Sequence, residues 1–130
     1  MEKIVLGSTG IHATRSGFGA LPVQRLSKEE AARLLRRAYD SGINFFDTAN
    51  AYTDSEEKIG MALADVRRNL FIATKTGSST PDEFWKHLEL SLTRMKTDYI
   101  DIYQFHNPAK MPSDEMMSCM IKAKAQGMIL

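Results

Sequence analysis

Asp47, Tyr52, Lys75 and His106 are side chains that together can move a proton. Reducing a carbonyl requires a hydride at carbon and a proton at oxygen. A phenol is a possible acid, but its ordinary pKa is about 10. A neighbouring ammonium stabilises the phenolate and eases proton transfer near neutrality. Tyr52 suits the acid, and Lys75 the ammonium. Asp47 suits an ion pair that keeps Lys75 charged and in place. His106 suits a hydrogen bond to the substrate oxygen, where negative charge develops. Each residue alone has a plainer reading. A tyrosine after a strand usually packs, a lysine–aspartate pair is more often structural, and a histidine before Asn107-Pro108 usually serves a turn. Their succession at three strand ends is what favours chemistry.

The elements that must position these groups are legible from pattern. Ile4-Val5-Leu6, the turn chemistry of Gly7-Ser8-Thr9-Gly10 and the resumption at Ile11 predict a β-hairpin. Ser16-Gly17-Phe18-Gly19-Ala20 is a short segment whose glycines allow close approach to the backbone. Ser27 and Glu30 form a capping box for a helix with Ala31, Leu34, Leu35, Ala38 and Tyr39 as its apolar stripe, stopped by Gly42. Ile43–Asp47 reads as a buried strand. A helix begins near Asp54 or Ser55, with Ile59, Ala62 and Leu63 inward. Leu70–Lys75 is the next strand. Thr80, Pro81 and Glu83 start a helix with a capping box and the stripe Phe84, Leu88, Leu92 and Met95. Tyr99–Phe105 is a strand, and Asp98 and Asp101 serve its ends and turns. Ser113 caps a last helix carrying Met117, Met120 and Ile121, and Met128–Leu130 begins another strand.

A hairpin followed by four strand–helix repeats predicts a parallel sheet with helices outside it. In such a sheet the C-terminal strand ends share one rim, where catalytic groups gather. The chain is expected to be one domain over residues 1–130. Its 130 residues carry 17 basic and 16 acidic side chains, a net charge of +1, so nothing favours a nucleic-acid partner. The single cysteine, Cys119, excludes an intrachain disulfide and is expected in the core. The methionines read as adaptable packing with no metal site, and His12 and His87 as surface or hairpin residues. No apolar run approaches the roughly 18 residues of a membrane helix, and no signal peptide is seen. A soluble cytoplasmic protein is expected.

Phe46-Asp47-Thr48-Ala49-Asn50-Ala51-Tyr52 with Ser55-Glu56 and Ile59-Gly60, then Ile72-Ala73-Thr74-Lys75, then Ser91-Leu92 with Asp98 through His106, resemble the signatures of the aldo-keto reductase family. The resemblance covers essentially the whole chain. It implies a TIM-type (β/α)₈ barrel, here only the N-terminal hairpin and about four βα units, because a full barrel takes about 250 residues. It implies NADPH, or less often NADH, as hydride donor, an aldehyde or ketone as the small carbonyl substrate, and no metal. It assigns Tyr52 as general acid, Lys75 and Asp47 as its tuning pair and His106 as the orienting residue. Gly17, Gly19 and Ala20 match the segment lining the cofactor pocket, and Asp47 and Asn107 the contacts to the nicotinamide. Thr53 stands where the family commonly has glycine. The family's nicotinamide-stacking aromatic and its basic phosphate loop come from later strands, outside these residues.

The runner-up reading is a non-catalytic binding or regulatory module on the same fold, as in potassium-channel β-subunits. A truncated product without activity of its own is a third. A half-barrel leaves open strand edges. The sheet's inner face, expected to include Phe46, Ile72 and Ile102 or Tyr103, would lack its usual covering, so self-association is expected.

Overall fold

The computed structural model describes residues 1–130. Its first element is the hairpin of β1 (Lys3–Val5) and β2 (His12–Thr14), paired antiparallel with Lys3 opposite Thr14 and Val5 opposite His12. Gly7 and Gly10 turn it at φ values of +54° and +74°, a region that glycine enters without steric cost. Asn44 ties the hairpin down. Its Oδ1 accepts from Thr14 N at 2.7 Å, and its Nδ2 donates to the His12 carbonyl at 3.0 Å.

Four parallel strands follow in the order β3 (Phe18–Gly19), β4 (Phe45–Asp47), β5 (Phe71–Thr76) and β6 (Ile102–Phe105). Helices α1 (Lys28–Asp40), α2 (Ser55–Leu63), α3 (Pro81–Met95) and α4 (Asp114–Ala125) connect or follow them. Beyond α4, Ile129 makes a parallel bridge to Ile100, so a further strand begins next to β6. Sequential strands therefore lie side by side, as repeated βα units demand.

Register and the two-residue alternation of strands decide which side chains face the helices. Phe46 is aligned with Ile72, and Thr74 with Tyr103. All four are buried on the helix side, where Phe84 of α3 meets the Tyr103 ring edge-on at 5.6 Å. The opposite face carries Phe45, Phe71, Ile102 and Gln104, none of them fully buried. This corrects the expectation for the inner face. Phe46, Ile72 and Tyr103 are covered, and of the residues expected there only Ile102 lies on the uncovered side.

Local signals explain most helix starts. Ser27 and Glu30 form the reciprocal capping box of α1. At α3 the box is half formed: Thr80 accepts from Glu83 N, but the Glu83 carboxylate reaches back to Ser79 instead. Stripes were less reliable. Leu34 of α1 is exposed, and α4 buries Met116, Cys119 and Ala123 while Met117 and Ile121 point outward. Two 3₁₀ segments, Leu21–Arg25 and Ala64–Asn69, lie where the sequence had suggested no element. No helix is long and apolar enough to cross a membrane.

Candidate active site

Asp47 is the last residue of β4, Lys75 is the next-to-last of β5, and His106 directly follows β6. In a parallel sheet these ends share one rim. The Lys75 ammonium donates to Asp47 Oδ1 at 2.5 Å, to Asp47 Oδ2 at 2.8 Å and to the Thr48 carbonyl at 2.7 Å. An ammonium has three protons, so its donors are fully used and its position is determined. The lysine side chain keeps 17% of its surface exposed and the aspartate 39%, leaving the pair open to the rim. The Tyr52 ring stands 5.6 Å from Lys75 Nζ and meets the His106 ring edge-on at 5.5 Å, with planes 82° apart. The structure thus brings all four predicted residues together, with the tyrosine ring within 6 Å of both the ammonium and the imidazole.

The loop that carries Tyr52 is built from backbone bonds to β5 and from two tight turns. Thr48 N donates to the Ala73 carbonyl and Asn50 N to the Lys75 carbonyl, at 2.9 and 3.0 Å. Tyr52 N closes a turn onto Ala49, and Ser55 N closes the next onto Tyr52. Between them Thr53 takes φ +43°, the left-handed region that β-branched residues avoid. That conformation gives a local reason why glycine suits this position. Ser55 is a hub: its hydroxyl donates to the Ala20 carbonyl and, with that proton used, accepts from Thr48 Oγ1, both at 2.9 Å.

Gly19 and Ala20, the predicted cofactor contacts on β3 and just after it, differ. Gly19 aligns with Asp47, and a Cβ built on it would meet nothing within 4 Å, so the space above it is free for another group. Ala20 is fully buried in the core and presents no surface; its amide donates to the Asp47 carbonyl at 2.8 Å. Asn107 is exposed in the left-handed region at φ +44°, on the rim beside His106. A groove of about 540 Å³ runs alongside, lined by Thr76, Ser78, Phe105, His106, Asn107 and Met116 among others. No group of three or more His, Cys, Asp or Glu side chains is placed to hold a metal ion.

Several polar residues escaped the sequence reading. Lys58 is 1% exposed, and its ammonium donates to the Val23 and Leu26 carbonyls at 3.0 and 2.7 Å and to Asp54 at 2.8 Å. It holds the end of the first 3₁₀ segment against α2. Burial works against the Asp54 carboxylate, yet the Lys58 hydrogen bond and charge keep it below the ordinary range. Glu56 is buried among Thr74, Ser91 and Arg94. Arg67 and Asp101 form a buried pair at 2.6 Å, and Asp101 also accepts from Ile72 N. His87, read as a surface or hairpin residue, is half-buried on α3 and bonded to Thr76 Oγ1 at 2.9 Å. For Lys58 the i,i+4 spacing to Asp54 was a readable signal; for the others the signal was charge inside otherwise apolar elements, which does not name a partner.

Residues 3–130 match the family model described as the aldo/keto reductase family. An uncharacterised oxidoreductase of Bacillus subtilis is 33% identical over 99% of this chain, which spans 47% of that relative. The holo form of a Bacillus halodurans aldo-keto reductase superimposes with a TM-score of 0.91 at 30% identity, over 99% of this chain and 48% of the other. A Klebsiella pneumoniae aldo-keto reductase solved in complex with NADPH gives 0.88 at 27% identity, over 99% and 48%. The chain spans about half the length of the relatives it matches.

Proposed function

Because this chain belongs to the aldo/keto reductase family, we propose that it supplies the proton-transfer half of an NAD(P)H-dependent reductase of aldehydes or ketones. The observation that carries the reading is the Lys75–Asp47 pair beside the Tyr52 ring, with His106 on the ring's edge. A reduced nicotinamide, when bound, supplies the hydride that the carbonyl carbon takes up. The carbonyl π pair then moves to oxygen, which takes the Tyr52 phenolic proton. The Lys75 ammonium stabilises the phenolate left behind. Asp47, bonded through both oxygens, keeps that ammonium oriented. His106 orients the substrate oxygen and stabilises its developing charge. The open space over Gly19 and the exposed Asn107 suit the nicotinamide end of such a cofactor. The buried Ala20 contributes by aligning the backbone. The phosphate end would rest on residues outside these 130.

The same reading sets the protein in the cytoplasm, in keeping with a single free cysteine. It also makes the 130-residue chain, as a molecule of its own, inactive and prone to self-association through its uncovered sheet face and open edges.

The test of the chemistry joins this chain to the remaining half of a relative's barrel and replaces Tyr52→Phe. Turnover with a reactive aldehyde is expected to fall by at least ~10²-fold, the usual worth of a positioned general acid, with NADPH binding nearly intact. Lys75→Met is expected to be similarly severe. Near-native turnover by Tyr52→Phe would disprove the role.

A further inference from the structure

Behind the Tyr52 loop lies a buried polar cluster that the proposed reaction does not use. Its centre is Glu56, whose side chain has no exposed surface. Glu56 Oε1 accepts from Thr74 Oγ1 of β5 and from Ser91 Oγ of α3, both at 2.7 Å. Its Oε2 accepts from Arg94 Nη1 at 3.3 Å. The same guanidinium nitrogen donates to the Asn50 carbonyl at 3.2 Å. Asn50 Nδ2 donates to Ser91 Oγ at 3.3 Å, and Asn50 N donates to the Lys75 carbonyl. Every polar group of Asn50 except its side-chain oxygen is therefore held, two residues before Tyr52.

A buried carboxylate is costly unless it is paired and hydrogen-bonded. A charge confined to bracing helices could be replaced by apolar packing. Here one line of bonds runs from the carboxylate through Arg94 to the backbone of the loop that carries the tyrosine. A second runs through Ser91 to the Asn50 side chain. We infer that Glu56 and Arg94 are positioning residues: they hold Asn50 from α2 and α3 and so set where the Tyr52 ring stands over the Lys75 ammonium. The catalytic consequence rests on the proposed role of Tyr52; the positioning itself does not.

The test reads position and not turnover. In the 130-residue chain, labelled at tyrosine and histidine, the nuclear Overhauser cross-peak between the Tyr52 and His106 rings reports their separation. Arg94→Ala is expected to lose it and Arg94→Lys to restore it at least in part, because an ammonium still reaches towards Glu56 and the loop. Leu35→Ala, which removes buried apolar volume on α1 away from Asn50, is expected to keep it. A cross-peak that survives Arg94→Ala in a folded chain overturns the inference. So does one lost equally in Leu35→Ala, which would mean general loosening. If amide dispersion shows Arg94→Ala to be unfolded, Ser91→Ala supplies the reading. Displaced Tyr52 ring resonances support the inference, and unmoved ones overturn it. A failed Tyr52→Phe activity test would leave all these outcomes unchanged, so the two claims fail separately.

Discussion

Thr53 is the residue of the site loop most at odds with its own chemistry. Its φ of +43° costs a β-branched side chain roughly 1–2 kcal/mol. Its exposed hydroxyl recovers little, through long bonds of 3.3 and 3.4 Å to Gln24 and Asp54. Thr53→Gly removes the strain, while glycine's freer unfolded chain returns about 0.4–1 kcal/mol of it. A net stabilisation of about 0.5–1 kcal/mol is expected from those two terms, read as a raised urea midpoint at unchanged slope. Tyr103 carries a different local cost. Its hydroxyl is buried without a partner, and burial pushes its phenol up; the nearby Thr76 hydroxyl offsets part of this without reaching hydrogen-bond geometry. The sign of the linkage follows. Below the unfolded phenol's pKa of about 10 both states hold the proton. As pH climbs past that value the unfolded chain ionises first, and stability is lost up to the folded value. Tyr103→Phe is expected to be neutral to stabilising at pH 7 and to flatten this alkaline decline, measured as the difference in unfolding free energy between the two proteins from neutral to high pH. A decline identical in both proteins would count against it. Legibility was uneven even at this scale. Asp47, Tyr52, Lys75 and His106 could be singled out because type and position at strand ends coincide, whereas the roles of Glu56, Lys58 and Arg67 could not, because each has bonds to groups 18 to 38 residues away that no local spacing reveals.

Elements differ in how much of themselves they disclose. α1 announces its start, since Ser27 and Glu30 satisfy each other's backbone donors within one turn. α4 does not disclose its inner face: with Met116, Met117, Cys119, Met120, Ile121 and Ala123 along it, two apolar stripes compete, and only docking against α3 chooses Met116, Cys119 and Ala123. The 3₁₀ segment Leu21–Arg25 has no periodicity to read and relies on Lys58, which takes up its carbonyls from α2. At Gly60 the backbone of α3 lies close against α2. A Cβ there would stand 2.2 Å from the Arg94 carbonyl oxygen and 2.9 Å from Met95 backbone atoms, so one helix must move. Gly60→Ala is expected to destabilise by about 1–3 kcal/mol or more, as overpacking does, despite alanine's better helix propensity. An unfolding curve showing stabilisation would mean that the two helices separate freely.

At the scale of all 130 residues, the proposed self-association turns on the uncovered sheet face. Phe45, Phe71 and Ile102 lie on it, beside an edge at β3 and another at the short pairing of Ile100 with Ile129. Burying apolar surface returns about 25 cal/mol per Å², against total stabilities of about 5–15 kcal/mol. The 130-residue chain alone is expected to run as a dimer or larger species by light scattering, and Phe71→Lys with Ile102→Lys to shift it towards monomer. A stable monomer at micromolar concentration refutes this. The order of strands and helices, the parallel sheet and the rim shared by Asp47, Tyr52, Lys75 and His106 were determined by the sequence itself, because apolar periodicity, caps and turn residues act over a few neighbours and sequential βα units pack side by side. Which strand face is covered, which stripe of α4 is buried and which distant donors satisfy Glu56, Lys58 and Asp101 were decided only by the tertiary structure. Those choices depend on pairing between residues far apart in the chain, where a strand's two faces or a helix's two stripes differ little until a neighbour covers one of them.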